Sequence, residues 1–161
     1  MDKHYCFLFS LFEAAILSNL AFLPVIPDLV LLVIVYVSFH NSAAIGSTTG
    51  FISGLMLDFL SASPLGLNAM TKTITGFISG KFAGSFNIDR IFLPFLLGAG
   101  ATFLKMVLTW ILSLFFGSDI LLYRLNGFVF WIEMLENAIC APIIFAILGL
   151  FPSLFISGEK S

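Results

Sequence analysis

The chain has 161 residues, of which 60% are hydrophobic and only 10% are charged, and its mean hydropathy is +1.10. Soluble globular domains are about 45–50% apolar and about 25% charged, so this composition excludes a water-soluble fold. The net charge of −2 at pH 7 comes without any basic stripe, which excludes nucleic acid as a partner. The sequence therefore predicts an integral membrane protein whose main solvent is the lipid bilayer.

Six apolar segments, separated by prolines, glycines, asparagines and charges, are predicted to be transmembrane helices, since a spanning helix needs about 20 mostly apolar residues. The first, residues 5–23, is expected to stay in the protein, because Glu13 interrupts it and no signal-peptide cleavage pattern follows. The second, residues 27–39, is short and is predicted to include Pro27 and Asp28 in its first turn. The others cover residues 43–60, 65–82, 91–116 and 127–151. The prediction is an all-α, polytopic membrane protein with one integral domain over the whole chain.

The positions of lysine and arginine predict the orientation, because cytoplasmic loops carry the excess of these residues. With the N-terminus inside, the outer side of the membrane receives Arg124 alone. The inner side receives Lys3, Lys81, Arg90 and Lys160. Both termini are therefore predicted to be cytoplasmic.

Two stretches of the chain carry a family resemblance. One is PDLVLL at Pro27–Leu32, and the other is GFISGLMLDFLSASPLG at Gly50–Gly66. They resemble the signature region of the MreD family of rod shape-determining membrane proteins, and the likeness is sharpest over residues 27–82. The positions that carry the signature are Pro27, Asp28, Gly54, Asp58, Pro64 and Gly66.

The resemblance implies a non-enzymatic scaffold of the cell-wall elongation machinery in the bacterial inner membrane. Its implied partner is an MreC-like bitopic membrane protein. Through that partner the scaffold would support RodA and its penicillin-binding transpeptidase, which build peptidoglycan, and would connect indirectly to MreB. At fold level the family is also similar to the substrate-binding subunits of energy-coupling-factor transporters. This likeness leaves a second hypothesis open, a substrate-binding membrane subunit for a small, vitamin-type solute.

Glycines at every fourth position form stripes on the third and fourth predicted helices. Small residues at this spacing let helix backbones approach closely in lipid, so the stripes predict a tight antiparallel hairpin. The alternative is that glycine is simply common in membrane helices. The stripes are Gly46, Gly50, Gly54 and Gly76, Gly80, Gly84, and a turn centred on Leu65 would pair Gly54 with Gly76, Gly50 with Gly80 and Gly46 with Gly84.

Polar residues inside the predicted spans are the candidate functional groups, because such residues are costly in hydrocarbon unless they are paired or face a cavity. Asp58 and Lys72 lie at equal distances from the predicted turn and are expected to form a buried ion pair. Reflection of the last two helices about their loop predicts a second pairing, of Lys105 with Glu136 or Asn137. The full set of candidates is Asp58, Lys72, Lys105, Glu133, Glu136 and Asn137.

A buried polar cluster of this kind suits two functions. A proton or solute pathway would need it, and so would a scaffold that fixes helix register or contacts a partner helix. The near balance of acids and bases favours structural pairing, as does the lack of a broken-helix pattern around a mid-membrane site.

No enzymatic motif accompanies these charges. The sequence contains neither H-E-x-x-H nor G-x-S-x-G. His4 and His40 are expected to be interfacial polar residues, while Cys6 and Cys140 lie in apolar runs without metal-ligand spacing. The sequence therefore predicts a protein that is not an enzyme and needs no cofactor or metal.

Overall fold

The computed structural model describes residues 27–61, 64–84, 91–116 and 127–151. These residues form helices and contain no strand, which confirms the predicted all-α class. The predicted first helix, residues 5–23, lies outside the described residues, as does the tail after residue 151. In chain order the helices are α1 (Leu29–His40), α2 (Ala43–Leu60), α3 (Leu67–Lys81), α4 (Phe92–Phe116) and α5 (Gly127–Gly149).

Three of these five helices are long and apolar enough to cross a membrane by length and composition: α2, α4 and α5. Helix α1 has 12 residues and α3 has 15, so at 1.5 Å per residue they reach only about 18 Å and 23 Å of a hydrocarbon core about 30 Å thick. The described part of the chain thus contains three candidate spans, and the prediction of six spanning helices is not met there.

Helix α1 lies at the centre of the bundle. Every residue from Val30 to Phe39 is buried, and α2, α3, α4 and α5 all pack against it. Such burial explains why the segment LVLLVIVYVSF is apolar on every side rather than amphipathic. Its side chains form the core with residues of α4 and α5, including Ala101, Phe145 and Leu148.

Helices α2 and α3 form a tight antiparallel hairpin, and glycines on both helices allow the contact. A Cβ atom added to Gly54 would lie 2.5 Å from the Asn68 carbonyl oxygen, and one added to Gly80 would lie 2.5 Å from the Cα atom of Ala43. A Cβ atom on Gly46 would meet both the Gly76 carbonyl oxygen and the side chain of Ser38 on α1. These backbones pack so closely that no side chain fits between them.

The register of the hairpin differs from the predicted one. Gly46 lies opposite Gly76, whereas the prediction paired it with Gly84, and Gly50 lies opposite Lys72 rather than Gly80. The midpoint of the pairing is therefore near Ser61, about one helical turn before Leu65. The physical reason is that Asp58, close to the end of α2, binds the first backbone N–H groups of α3 and so sets where α3 begins, as described below.

Gly84 is not a packing residue. It lies in the turn after α3 with a φ of 73°, a left-handed conformation that favours glycine, and an added Cβ atom would have no neighbour within 4 Å. Its predicted place opposite Gly46 was wrong, because α3 ends at Lys81.

Candidate functional site

Asp28 is the central residue of a buried polar cluster. It caps the N-terminus of α1, where its Oδ1 atom accepts a hydrogen bond from the Leu31 backbone N–H at 2.9 Å. Its own backbone N–H donates to Oδ1 of Asn137 on α5 at 2.9 Å. The cap satisfies an otherwise unpaired helix donor, and it places a carboxylate inside the bundle with only 8% of the residue exposed.

Two lysines from different helices converge on this carboxylate. Nζ of Lys72 on α3 lies 2.7 Å from Oδ1 and 2.9 Å from Oδ2 of Asp28, while Nζ of Lys105 on α4 lies 2.8 Å from Oδ2. Lys105 also donates to Oε1 of Glu133 on α5 at 2.6 Å. Two acids and two bases make the cluster neutral, and its members come from four helices.

An uncharged branch extends the cluster between α4 and α5. Nδ2 of Asn137, which is fully buried, donates to Oγ1 of Thr102 at 3.0 Å, and this hydroxyl donates to the Gly98 carbonyl oxygen at 2.8 Å. The two helices approach closely here, since a Cβ atom on Gly98 would lie 2.7 Å from Cβ of Ala141. Neither Gly98 nor Thr102 was predicted from the sequence, because Gly98 is not part of a run of glycines at every fourth position and Thr102 carries no charge.

The length of α1 explains why Asp28 meets these lysines. The helix covers only about 18 Å, which is shorter than a hydrocarbon core about 30 Å thick. The N-terminus of α1 lies beside the middle of the longer helices α4 and α5, where Lys105 and Asn137 are found. Asp28 was predicted to lie in the first turn of the second helix and to be a family-signature position, and it was not among the predicted intramembrane charges. The pattern Asp followed by an apolar run, which is typical of a helix N-cap, could have indicated its role.

Both predicted pairings differ from the pairings in the structure. Lys72 binds Asp28 instead of Asp58, because the register shift moves Asp58 away from it. Lys105 forms ion pairs with Asp28 and Glu133, while Asn137 bonds to backbone and threonine groups. Glu136, expected near Lys105, is half-buried, and no hydrogen bond to its buried Oε2 atom comes from the part of the chain that the structure describes.

Asp58 instead caps α3, the helix that follows its own. Its carboxylate accepts hydrogen bonds from the backbone N–H groups of Gly66, Asn68 and Ala69 at 2.9, 3.0 and 3.1 Å, and from the Asn68 side chain at 3.0 Å. Gly66, the N-cap residue, has a φ of 96°, so glycine suits this position and Asp58 supplies the cap that glycine lacks. These bonds fix where α3 begins and therefore set the hairpin register.

The six family-signature positions thus have structural places in the described chain. Asp28 and Asp58 cap α1 and α3, and Gly54 lets α3 approach α2. The Pro64 carbonyl oxygen accepts from the Leu67 N–H at 3.2 Å in the turn before α3. The remaining positions, Pro27 and Gly66, precede α1 and α3.

The chemistry of the cluster is that of structural ion pairing. In the part of the chain that the structure describes, no group of three or more His, Cys, Asp or Glu residues could hold a metal ion. His40 lies at the other end of α1 from Asp28, about 18 Å away by helix rise, so it cannot act on the carboxylates. Paired charges from four helices fix the rotation and depth of each helix, and the loss of one partner would leave a costly unpaired charge.

The fold and the cluster define a helical membrane protein whose packing depends on buried, mutually neutralising charges. The family model for the rod shape-determining protein MreD matches residues 4–154. The chain belongs to this family, and the match covers the last two helices as well as the region of strongest resemblance. Neither a curated protein nor a solved structure matches the chain. The family is one of shape-determining membrane proteins and is not known for enzymes, and membership indicates a role in rod-shape determination.

Proposed function

We propose that this protein is a non-enzymatic scaffold of the cell-wall elongation machinery in the bacterial inner membrane. It binds an MreC-like bitopic protein through its membrane domain. Through this partner it supports RodA and its penicillin-binding transpeptidase during peptidoglycan synthesis and connects indirectly to MreB. Family membership supports the assignment to shape determination. The named partners are a further part of the proposal.

The observation that carries the proposal is that the charged groups of the buried Asp28 cluster are paired with one another. Both carboxylate oxygens of Asp28 bind lysine ammonium groups, and Lys72 is only 2% exposed. A site for a solute or a transferable proton would need a group that a ligand can reach. A neutral cluster of mutually paired charges instead supports a rigid domain on which other membrane proteins assemble.

Glu136 is our candidate for the contact with the partner's transmembrane helix. Among the described residues nothing hydrogen bonds to its buried Oε2 atom, and its neighbours Leu135 and Ile139 on α5 are exposed at 57% and 53%. Unsatisfied carboxyl groups are costly in a membrane, so a polar donor from a neighbouring helix would be stabilising here.

Affinity purification of the full-length tagged protein, followed by mass spectrometry of proteins and of small molecules, tests the proposal. We expect a bitopic protein to co-purify and no small solute to be retained. A stoichiometric vitamin-type solute without a bitopic partner would overturn the scaffold assignment. It would favour the transporter subunit, together with its energy-coupling-factor-like fold.

Depletion in a rod-shaped host provides a cellular test. We expect rounded cells and delocalised lateral wall synthesis, because the scaffold positions the synthases. Normal rods with a solute-specific growth defect would contradict the proposal.

A further inference from the structure

A cavity of about 490 Å³ lies between α1, α4 and α5, at the end of the bundle opposite the Asp28 cluster. Its walls are mainly apolar and include Pro94 at the start of α4 and Phe145 near the end of α5. Small-molecule sites are typically concave, mostly apolar and about 300–1,000 Å³ in volume, with a few polar groups that orient the ligand. In this cavity the polar groups are Tyr36 and His40.

The orientation of His40 leaves one ring nitrogen for a ligand. Nδ1 lies 2.9 Å from the Tyr36 carbonyl oxygen, which can only accept, so Nδ1 carries a proton. Among the described residues nothing hydrogen bonds to Nε2. The ring packs 4.2 Å from the Tyr36 ring, centroid to centroid, so its position is fixed. His40 is also the last residue of α1, where the helix dipole favours a cation.

The cavity lies where a membrane amphiphile would meet the protein. The end of α1, the start of α4 and the end of α5 meet there, next to the polar turn at Asn41. A helix end in this position faces the level of lipid head groups, while the apolar walls continue toward the hydrocarbon. Tyrosine and histidine at the mouth suit the boundary between these two environments.

We propose that this cavity binds one phospholipid with an anionic head group. An acyl chain occupies the apolar walls beside Phe145 and Pro94. The bound phosphate stabilises the imidazolium form of His40, in which Nδ1–H donates to the Tyr36 carbonyl oxygen and Nε2–H donates to the phosphate. The apolar lining requires a chain, which distinguishes a lipid from free phosphate. The site shares no residue with the Asp28 cluster, so the proposal is independent of the partner assignment.

Two glycine-to-leucine variants form a matched test. Gly149 lines the mouth, and the nearest atom to an added Cβ would be the Tyr36 hydroxyl oxygen at 4.0 Å, so Gly149→Leu fills the mouth without a clash. Gly100 on α4 is exposed with nothing within 4 Å of an added Cβ atom, so Gly100→Leu adds the same bulk on the lipid-facing surface. Leucine also favours a helix more than glycine does at both positions.

The experiment is native mass spectrometry of the full-length protein released from vesicles containing equal amounts of phosphatidylglycerol and phosphatidylcholine. We expect one retained phosphatidylglycerol, about ten-fold less in Gly149→Leu and no change in Gly100→Leu. His40→Gln should retain lipid but lose the preference for the anionic head group. If Gly149→Leu does not fold, Ala146→Leu, which also lines the cavity, replaces it.

Three outcomes would overturn the proposal. Equal retention in the wild type, Gly149→Leu and Gly100→Leu would show that the lipid lies on the outer surface. No preference for the anionic lipid in the wild type would remove the role of His40. Displacement of the lipid by inorganic phosphate alone would show a site for free phosphate rather than for a phospholipid.

Discussion

Asp28 combines three roles that usually belong to separate residues: it caps a helix, forms ion pairs with two lysines and ties α1 to α5 through Asn137. The sequence predicted a charge cluster containing Lys72, Lys105 and Glu133, but not the carboxylate that joins them. Charged residues can be read from the sequence, whereas their partners depend on how far along the bundle each residue lies. For Asp28 this position follows from the length of α1.

Asp28→Asn removes the negative charge but keeps the helix cap, because asparagine caps helices about as well as aspartate. We expect a loss of folding free energy of about 3–5 kcal/mol, the range for unpaired buried charges in soluble proteins. Unfolding in detergent measures it. The double variant Asp28→Asn with Lys72→Met should lose less than the sum of the single changes. Strictly additive losses would contradict a coupled pair.

Glu133 and Glu136 provide a second contrast one helical turn apart on α5. Glu133→Leu should destabilise the protein by about 1–3 kcal/mol, because Lys105 loses one of its acceptors. Glu136→Leu should leave stability unchanged or raise it, since no described residue hydrogen bonds to the buried Oε2 atom. It should nevertheless reduce recovery of the bitopic protein on purification. Equal partner recovery in Glu136→Leu and the wild type would remove Glu136 from the interface.

At the scale of elements, apolar segments separated by turn residues were enough to predict helices α1 to α5 in order. The stripes also indicated which two helices pair most closely. The register could not be predicted, because it depends on the cap that Asp58 of α2 provides at the start of α3. A mirror-symmetric turn was the simplest assumption, and a cap contributed by the preceding helix breaks that symmetry.

Gly50→Leu tests the hairpin contact. A Cβ atom there would lie 2.7 Å from the Lys72 carbonyl carbon, so leucine must separate α2 from α3, and we expect a loss of at least about 3 kcal/mol of stability. The yield of folded monomer in detergent measures the effect. Gly84→Leu is the control and should cost only about 1–3 kcal/mol, through its left-handed φ rather than through packing. A loss in Gly84→Leu as large as that in Gly50→Leu would favour the register centred on Leu65, in which both glycines face the other helix.

At the scale of the whole molecule, composition was sufficient to place the chain in a membrane, and the signature region was sufficient to predict the family. The number of spans was not predictable from hydropathy, because the most apolar segment, α1, is buried among other helices instead of facing lipid. Hydropathy measures how apolar a segment is and does not distinguish protein from lipid as its surroundings.

The predicted orientation can be tested directly. With both termini cytoplasmic, a periplasm-active reporter fused after Ser161 should be inactive, and the same reporter inserted after Ser61 should be active. The reverse result would place the proposed lipid cavity in the outer leaflet and the turn at Ser61 in the cytoplasm.

The ion pairs of Asp28 also impose an order on biogenesis. Its two lysines follow it by 44 and 77 residues, so both reach the membrane after α1 does. A lone carboxylate is costly in hydrocarbon, and α1 is too short to hold Asp28 at the far interface. We therefore expect α1 to wait at the translocon or the membrane surface until α3 and α4 arrive. The central helix of the bundle would then be among the last to reach its final depth.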